Sequence, residues 1–301
     1  MTDENDLTLN PKNMEHEYLM AVEQGDVNAM VELADYYVRT DNHDGAERYF
    51  LMAIEHGNIN AINKLAYYYE IIIGDYDNAE RFYLMGVEKG NVVSMNNSAI
   101  FYDRVKDDRK KAKLYFLMAI EKDDPAAMIN YAHYLEIENN YVEAERYYLM
   151  AIEKEYLRAY HNYAFFLCTY KNDLENAERY HLMAIEKGDI ESIYGLACFY
   201  ETIKKDYEKA EQYFLMAVEH DNIDAMNNLG IYYTENKQDY EKAEKYFLMG
   251  VEHGDISAMN NLAFFYETVK NDKDNSEFYR LMANEHVRLY EKNIKCENQP
   301  L

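Results

Sequence analysis

At 301 residues the chain has the length of two ordinary domains or of one continuous array. It is 49% apolar, with 11 Gly, 3 Pro, no Trp and 32 Tyr, a profile of long, rarely interrupted helices rather than of disorder. Against 31 basic residues stand 56 acidic ones, and the net charge of −25 would repel phosphate backbones and anionic lipid, which argues against nucleic-acid and membrane-surface binding.

The N-terminal stretch "MTDENDLTLN" is acidic and lacks a cationic region followed by an apolar one, so residues 1–12 are expected to be a disordered acidic tail. No run approaches the roughly 18 apolar residues of a membrane span. The chain is expected to be soluble and intracellular, in the cytoplasm. Cys168, Cys198 and Cys296 are too few and too irregularly spaced for a disulfide framework or a zinc site, which fits a reducing compartment. The bias toward Asn, Tyr, Ile and Lys resembles that of AT-rich genomes, so an isolated Asn or Tyr carries little weight.

From residue 13 onward one pattern governs. The dipeptide Leu-Met recurs at 19, 51, 84, 117, 149, 182, 215, 248 and 281, a spacing of 32 or 33 residues, and so regular a period means a stacked repeat. Around each Leu-Met lies one motif, as in "GAERYFLMAIEHGN" from 45, and between them a second, as in "AINKLAYYYE" from 61 or "AMNNLAFFYE" from 258. Both have helical spacing, for example Ala61, Leu65, Tyr68 and Tyr69, so each repeat is a helix pair. Asp26, Asn58, Asn91, Asp124, Asp189, Asn222 and Asp255 stand where the first helix needs an N-cap, and Gly25, Gly57, Gly90, Gly188 and Gly254 precede them where the previous helix must stop.

Leu33, Ala34, Tyr37, Ala46, Phe50 and Ala53 resemble, in order and spacing, the small and large packing positions of the tetratricopeptide repeat family. The Gly-x-x-x-Ala join from Gly57 to Ala61 is similar to that of its close relative, the Sel-one-like repeat. The initial Trp is missing, and Asp or Asn usually replaces the terminal Pro. The resemblance covers residues 13–287, as one unpaired second helix followed by eight pairs, and implies an all-α, right-handed α-solenoid (superhelix) of antiparallel helix pairs. Residues 288–301 are expected to extend the last helix as a cap and tail.

No Gly-rich phosphate loop, His-Glu-x-x-His, Cys-x-x-Cys or Gly-x-Ser-x-Gly is present, so the expectation is a non-enzymatic protein without cofactor or metal. "DKDNSE" at 272 lacks the Gly and bidentate Glu of a calcium loop and reads as a polar connection. His56, His220 and His253 read as solvated helix ends, and Cys168 and Cys198 as packing residues.

The resemblance implies that the first helices line a concave groove. There the sequence places Asn97, Asn130, Asn162, Asn228 and Asn261 at one equivalent position, with Asn63, Asn96, His161, Asn227 and Asn260 one residue earlier. Asn is a poor helix-interior residue, yet its amide can bond both N–H and C=O of an extended peptide. Some tetratricopeptide superhelices use such an Asn ladder, and the resemblance carries that role to these residues. The ladder is interrupted at Glu32, Lys64 and Gly195. The competing reading is that these amides fix the stacking of neighbouring helices.

Seven residues after the first position, two turns along the same face, stand Glu70, Asp103, Glu136, Glu201 and Glu267, near a helix C-terminus where the dipole disfavours them. They predict either an acidic groove for basic or neutral extended segments or a solvated acidic face. A rival surface is the row Met20, Met52, Met85, Met118, Met150, Met183, Met216, Met249 and Met282, which lies either in the seam between second helices or outside as a self-association surface. The expectation is therefore a monomeric protein-interaction scaffold, with a self-associating structural component as the alternative.

Overall fold

The computed structural model describes residues 11–297, with side chains from Met14 to Arg288. All but the last two residues of the expected acidic tail lie outside this range, as does the C-terminal tail from 298. Among the described residues the chain is all helix. In order these are α1 (Pro11–Glu23), α2 (Val27–Arg39), α3 (His43–Glu55), α4 (Ile59–Tyr67), α5 (Tyr76–Glu88), α6 (Val92–Arg104), α7 (Arg109–Ile120), α8 (Pro125–Ile137) and α9 (Tyr141–Glu153). They continue as α10 (Leu157–Phe166), α11 (Leu174–Glu186), α12 (Glu191–Cys198), α13 (Tyr207–Val218), α14 (Ile223–Tyr232), α15 (Tyr240–Glu252), α16 (Ile256–Phe265) and α17 (Lys273–Glu297). The fold is an all-α solenoid in which even-numbered helices are the first, and odd-numbered helices the second, of each pair. Two compact units divide it, Met1–Tyr131 and Ala132–Leu301.

Local chemistry sets the helix ends. Each Asp or Asn expected to cap a first helix accepts from a backbone N–H at its start: Asn58 Oδ1 from Ala61 at 3.1 Å, Asn91 from Ser94 at 2.7 Å, Asp255 from Ala258 at 2.6 Å. The second helices are capped in the same way by Asn42, Asp75, Asp108, Asn140, Asp173, Asp206, Asp239 and Asp272. Gly57 has φ +87°, the left-handed conformation that ends α3.

The mixture of 32- and 33-residue spacings has a structural counterpart. In the 32-residue repeats the cap residue of the second helix bonds a carbonyl five residues back, Asn42 to Tyr37 at 2.9 Å and Asn140 to Leu135 at 2.8 Å. In the 33-residue repeats the bond reaches six back, as from Asp75 to Tyr69, Asp108 to Tyr102 and Asp206 to Tyr200. In five of these six repeats the extra residue is absorbed in a wider π-helical turn, at Tyr68–Ile73, Leu167–Lys171, Phe199–Lys204, Tyr233–Lys237 and Tyr266–Lys270, and after α6 it is taken up in the non-helical link 105–108. The following helix keeps its rotational phase.

That phase matters because the core is built from small residues that let helices approach and from aromatic residues that fill the gaps. Ala34, Ala46, Ala53, Ala66 and Ala79 are fully buried, beside Phe50, Phe82 and Tyr83. Each such ring contributes about 1.5–3 kcal/mol of burial. At Gly86 even an alanine is too large, since a Cβ there would lie 2.2 Å from the buried Ser94 hydroxyl.

Deletion of Thr202 within the π-helical turn Phe199–Lys204 should leave helicity intact, because the repeat can close by the five-residue bond. Deletion of Gln212 inside α13 rotates everything beyond it by ~100° and should abolish cooperative melting of unit 2. Circular dichroism melts of the two variants distinguish them; equal damage from both would refute the account.

Candidate peptide-binding face

Helix register places the Asn rows on one face of the first helices, and the structure shows what their amides do. In the first unit Asn97 Nδ2 donates to Asn63 Oδ1 at 3.0 Å and Asn130 Nδ2 to Asn96 Oδ1 at 3.0 Å. In the second unit Asn228 Nδ2 donates to the Tyr194 hydroxyl at 3.3 Å. The second position of one repeat thus bonds the first position of the repeat before it. Asn227 departs from this pattern: it is buried and donates instead to Asp255 Oδ1 at 2.8 Å. Asn162 and Asn261 are half-buried and Asn260 is exposed, and none of the three makes a side-chain hydrogen bond among the described residues.

The interruption at Gly195 also has a cause. His161 occupies that space: a Cβ on Gly195 would lie 2.7 Å from the His161 ring. The ring meets His181 edge-on at 5.3 Å, and its Nδ1 lies 3.3 Å from the buried Ser192 hydroxyl, which itself donates to Asp189. Burial lowers the pKa of His161, and pushes that of His181 down to about 3, with the charge of His161 adding to the effect. His181 stands where other repeats place Phe50, Phe116 or Phe214.

Four of the five candidate acids have partners that explain their place near a helix end. Glu70 accepts from the Tyr83 hydroxyl at 2.6 Å; burial raises its pKa and that bond opposes the rise. Glu136 accepts from the Tyr148 hydroxyl at 2.6 Å and lies 3.2 Å from His133 Nδ1. Asp103 pairs with Arg109 at 3.2 Å, and Glu267 with Arg280, the residue that replaces the inward aromatic of the last repeat. Glu201 is half-buried; burial raises its pKa, Lys205 lowers it and Glu235 raises it again. Each of the four paired acids ties the first helix of its own repeat to the residues that follow.

A second network joins one repeat to the next, and the sequence reading did not anticipate it. In α3, α5, α11, α13 and α15 the Glu after the buried Ala accepts from a tyrosine 22 residues on; in α9 Glu145 accepts instead from Tyr163, 18 residues on, at 2.9 Å, and in α7 Lys113 stands at that position. Glu47 is bonded by Tyr69 at 2.5 Å, Glu80 by Tyr102 at 2.5 Å, Glu178 by Tyr200 at 2.6 Å and Glu244 by Tyr266 at 2.5 Å, with Glu211 and Tyr233 paired likewise. A lysine 26 residues on reaches the same carboxylate, Lys106 to Glu80 at 3.0 Å and Lys270 to Glu244 at 3.0 Å. Each tyrosine ring also stacks on an aromatic of the next helix, as Tyr69 on Phe82 at 5.6 Å and 6° and Tyr266 on Tyr279 at 5.7 Å and 2°. The Tyr102 bond, helped by Lys106, lowers the Glu80 pKa. The signal lay in the repeated "AE", "YY" and Lys positions, whose spacing has no meaning until helices are placed side by side.

The other candidates resolve plainly. Seven of the nine Met side chains are half-buried; Met20 (47%) and Met216 (39%) are exposed. Asp272 of "DKDNSE" caps α17. His56 Nδ1 lies 2.9 Å from the Met52 carbonyl at the end of α3. Cys168 and Cys198 are half-buried free thiols, and burial pushes the Cys168 pKa up to about 11. Among the described residues no cluster of His, Cys, Asp and Glu is placed to hold a metal ion, and no helix is long and apolar enough to cross a membrane.

The pattern of the Sel1 (Sel-one) repeat matches residues 59–91, 94–124, 125–156, 190–222 and 223–255, more than half of the chain. The chain belongs to the Sel1 repeat family. A Sel1 repeat protein from Oxalobacter formigenes superposes with a TM-score of 0.55 at 21% identity, over 74% of this chain and 99% of that one. The protective antigen c5321 of uropathogenic Escherichia coli, which displays an SLR fold, gives 0.51 at 20% identity, over 89% of this chain and 63% of that one, so the chain spans less than two thirds of that antigen's length. Human IFIT1 in its dimer with m7Gppp-AAAA gives 0.56 at 16% identity, over 93% and 68%. Identities this low show the fold alone. Among curated protein sequences none is significantly similar. Sel1 and tetratricopeptide-like repeats are generally non-catalytic protein-interaction scaffolds.

Tyr233→Phe removes one Glu–Tyr joint while keeping the stacked ring, and should cost about 1–2 kcal/mol, read as a lower urea midpoint. An unchanged midpoint would remove these joints from the account of stability. The histidines predict a pH effect. Their folded pKa values lie below the ~6.5 of an exposed His, so the unfolded chain takes up protons first as pH falls. Unit 2 should be at full stability above pH ~7 and lose it progressively below ~6.5. His181→Phe should flatten that acid limb; an unaltered limb in thermal melts across this range would exclude the pair as its source.

Proposed function

We propose that this chain is a non-enzymatic scaffold that binds extended peptide segments, basic or neutral, along the amide-lined acidic face of its first helices. Residues 13–287 are the working array. The observation that carries the reading is the set of half-buried amides at one register position. Asn162 and Asn261 have hydrogen-bonding capacity that nothing in the fold uses, and Asn97 and Asn130 satisfy one N–H in stacking while their carbonyl oxygens stay available. Stacking and ligand contact are therefore compatible: the inter-repeat bond orients the amide that a peptide backbone would meet.

The human IFIT1 dimer is with m7Gppp-AAAA, but a chain of net charge −25 repels a phosphate backbone, which supports a peptide over a nucleic acid. The free thiols suit the reducing cytoplasm. Self-association through the Met row has less behind it, since seven of the nine side chains are half-buried.

The test separates the two roles of the amides. Asn162→Ala with Asn261→Ala should leave helicity and melting unchanged yet lose the partner that wild type captures from cell extract. Asn97→Ala should instead lower the melting temperature. Equal capture by wild type and the Asn162/Asn261 variant would overturn the amide-ladder reading.

A further inference from the structure

The second unit carries a row that the amides and acids leave unaccounted for. One helical turn beyond His161, Tyr194, Asn227 and Asn260, on the same face, stand Phe165, Cys198, Ile231 and Phe264. Phe165 is 57% exposed, Phe264 63% and Ile231 38%. Core packing does not need these rings. The next residue along, Phe166 or Phe265, is the one turned inward and fully buried. Exposed phenylalanines repeated at one register position, beside a turn lined with amides, lack a reason in the fold.

The surroundings of the row state the chemistry of what would cover it. On one side lie Asn162, Asn228 and Asn261. On the other, three or four residues further along each helix and therefore adjacent on its surface, lie Glu201 beside Cys198, Glu235 beside Ile231 and Glu267 beside Phe264. Asp224 stands one turn before Asn227 and Asn228 on the same helix. Glu201 feels the charge of Glu235 and is held above its ordinary pKa mainly by burial, with Lys205 opposing. An incoming cation would relieve that repulsion. Arg280 holds Glu267 through an exposed ion pair, the kind that contributes little and exchanges readily. In the first unit the equivalent positions hold Tyr67, which is exposed, Ile100, which is half-buried, and Asp35, which is engaged by Lys64, so the row there is less open.

We propose that the α10–α16 face takes an extended peptide in which a large apolar side chain, Phe, Leu or Ile, is flanked by Lys or Arg. The apolar side chain lies on the Phe165–Ile231–Phe264 row, the backbone meets the amides, and the basic side chains meet the glutamates. This rests on the peptide-scaffold reading and narrows it to a composition. Charge complementarity selects this occupant: the face presents carboxylates beside rings, and a second acidic copy of the chain would bring like charge to it.

Selection of a random library of short displayed peptides on the immobilised full chain tests it. The expected result is enrichment of sequences alternating apolar and basic residues. The best of them, titrated by fluorescence anisotropy, should bind the double variant Phe165→Ser, Phe264→Ser about tenfold more weakly. Both positions are exposed, so helicity should not change. Enrichment of basic residues with no apolar preference, or undiminished affinity of the variant, would overturn the apolar row and leave the amide-and-acid face standing. Failure to enrich any sequence would take down both readings. A wild-type dimer in sedimentation that the double variant converts to monomer would make the row a contact between copies and overturn the peptide assignment.

Discussion

The bond between a glutamate of one second helix and a tyrosine hydroxyl of the next first helix is the joint on which most steps of the array depend. A single helix pair cannot bury its own apolar face, so each repeat is stable only through its neighbours. The alanines bring helices close without fixing their rotation. The Glu–Tyr bond, with its lysine and stacked ring, supplies that fixation in a half-buried place where a charge-assisted bond outperforms an exposed ion pair. Every such contact is between nearest neighbours in sequence, which makes the stability of each unit close to a sum over its joints.

The same joints prepare the binding face. Once rotation is fixed, equivalent side chains on successive first helices fall into rows, and the amide that bonds its neighbour is held in one orientation before any ligand arrives. A peptide meeting such a face orders itself against groups that have already lost their freedom, which lowers the entropic cost of association. The acids contribute twice. Glu70 and Glu136 accept from tyrosines and rigidify the helix ends, and the carboxylates retain the negative potential that would draw a basic segment.

Much of this was legible in the sequence, for a physical reason. Helix pairing, caps and repeat boundaries depend on residues within one turn of each other, so Asn58, Gly57 and Ala61 declare them directly. Even the alternation of 32 and 33 residues was visible, although its expression as a π-helical turn was not. What stayed hidden depends on residues distant in sequence and adjacent in space. The partner of Glu80 is 22 residues away, the reason for Gly195 is a histidine 34 positions earlier, and Met118 is half-buried against the cluster that holds Met95 and Ala127 of two other helices. Register could place Asn97 on a face, but whether its amide meets a neighbour or a ligand needs the neighbour's coordinates. The exposed Phe165 and Phe264 were passed over because an aromatic beside another aromatic reads as core until burial separates the pair.

The wider turn at the end of the first helices makes units of two lengths interchangeable. A gene built from such units can gain, lose or exchange them by unequal crossing-over without regard to which length lies on either side, because the turn returns the chain to the same rotational setting. Array length, and with it the length of the ligand segment that can be held, then becomes a property that evolution adjusts in whole steps while each joint stays as it was.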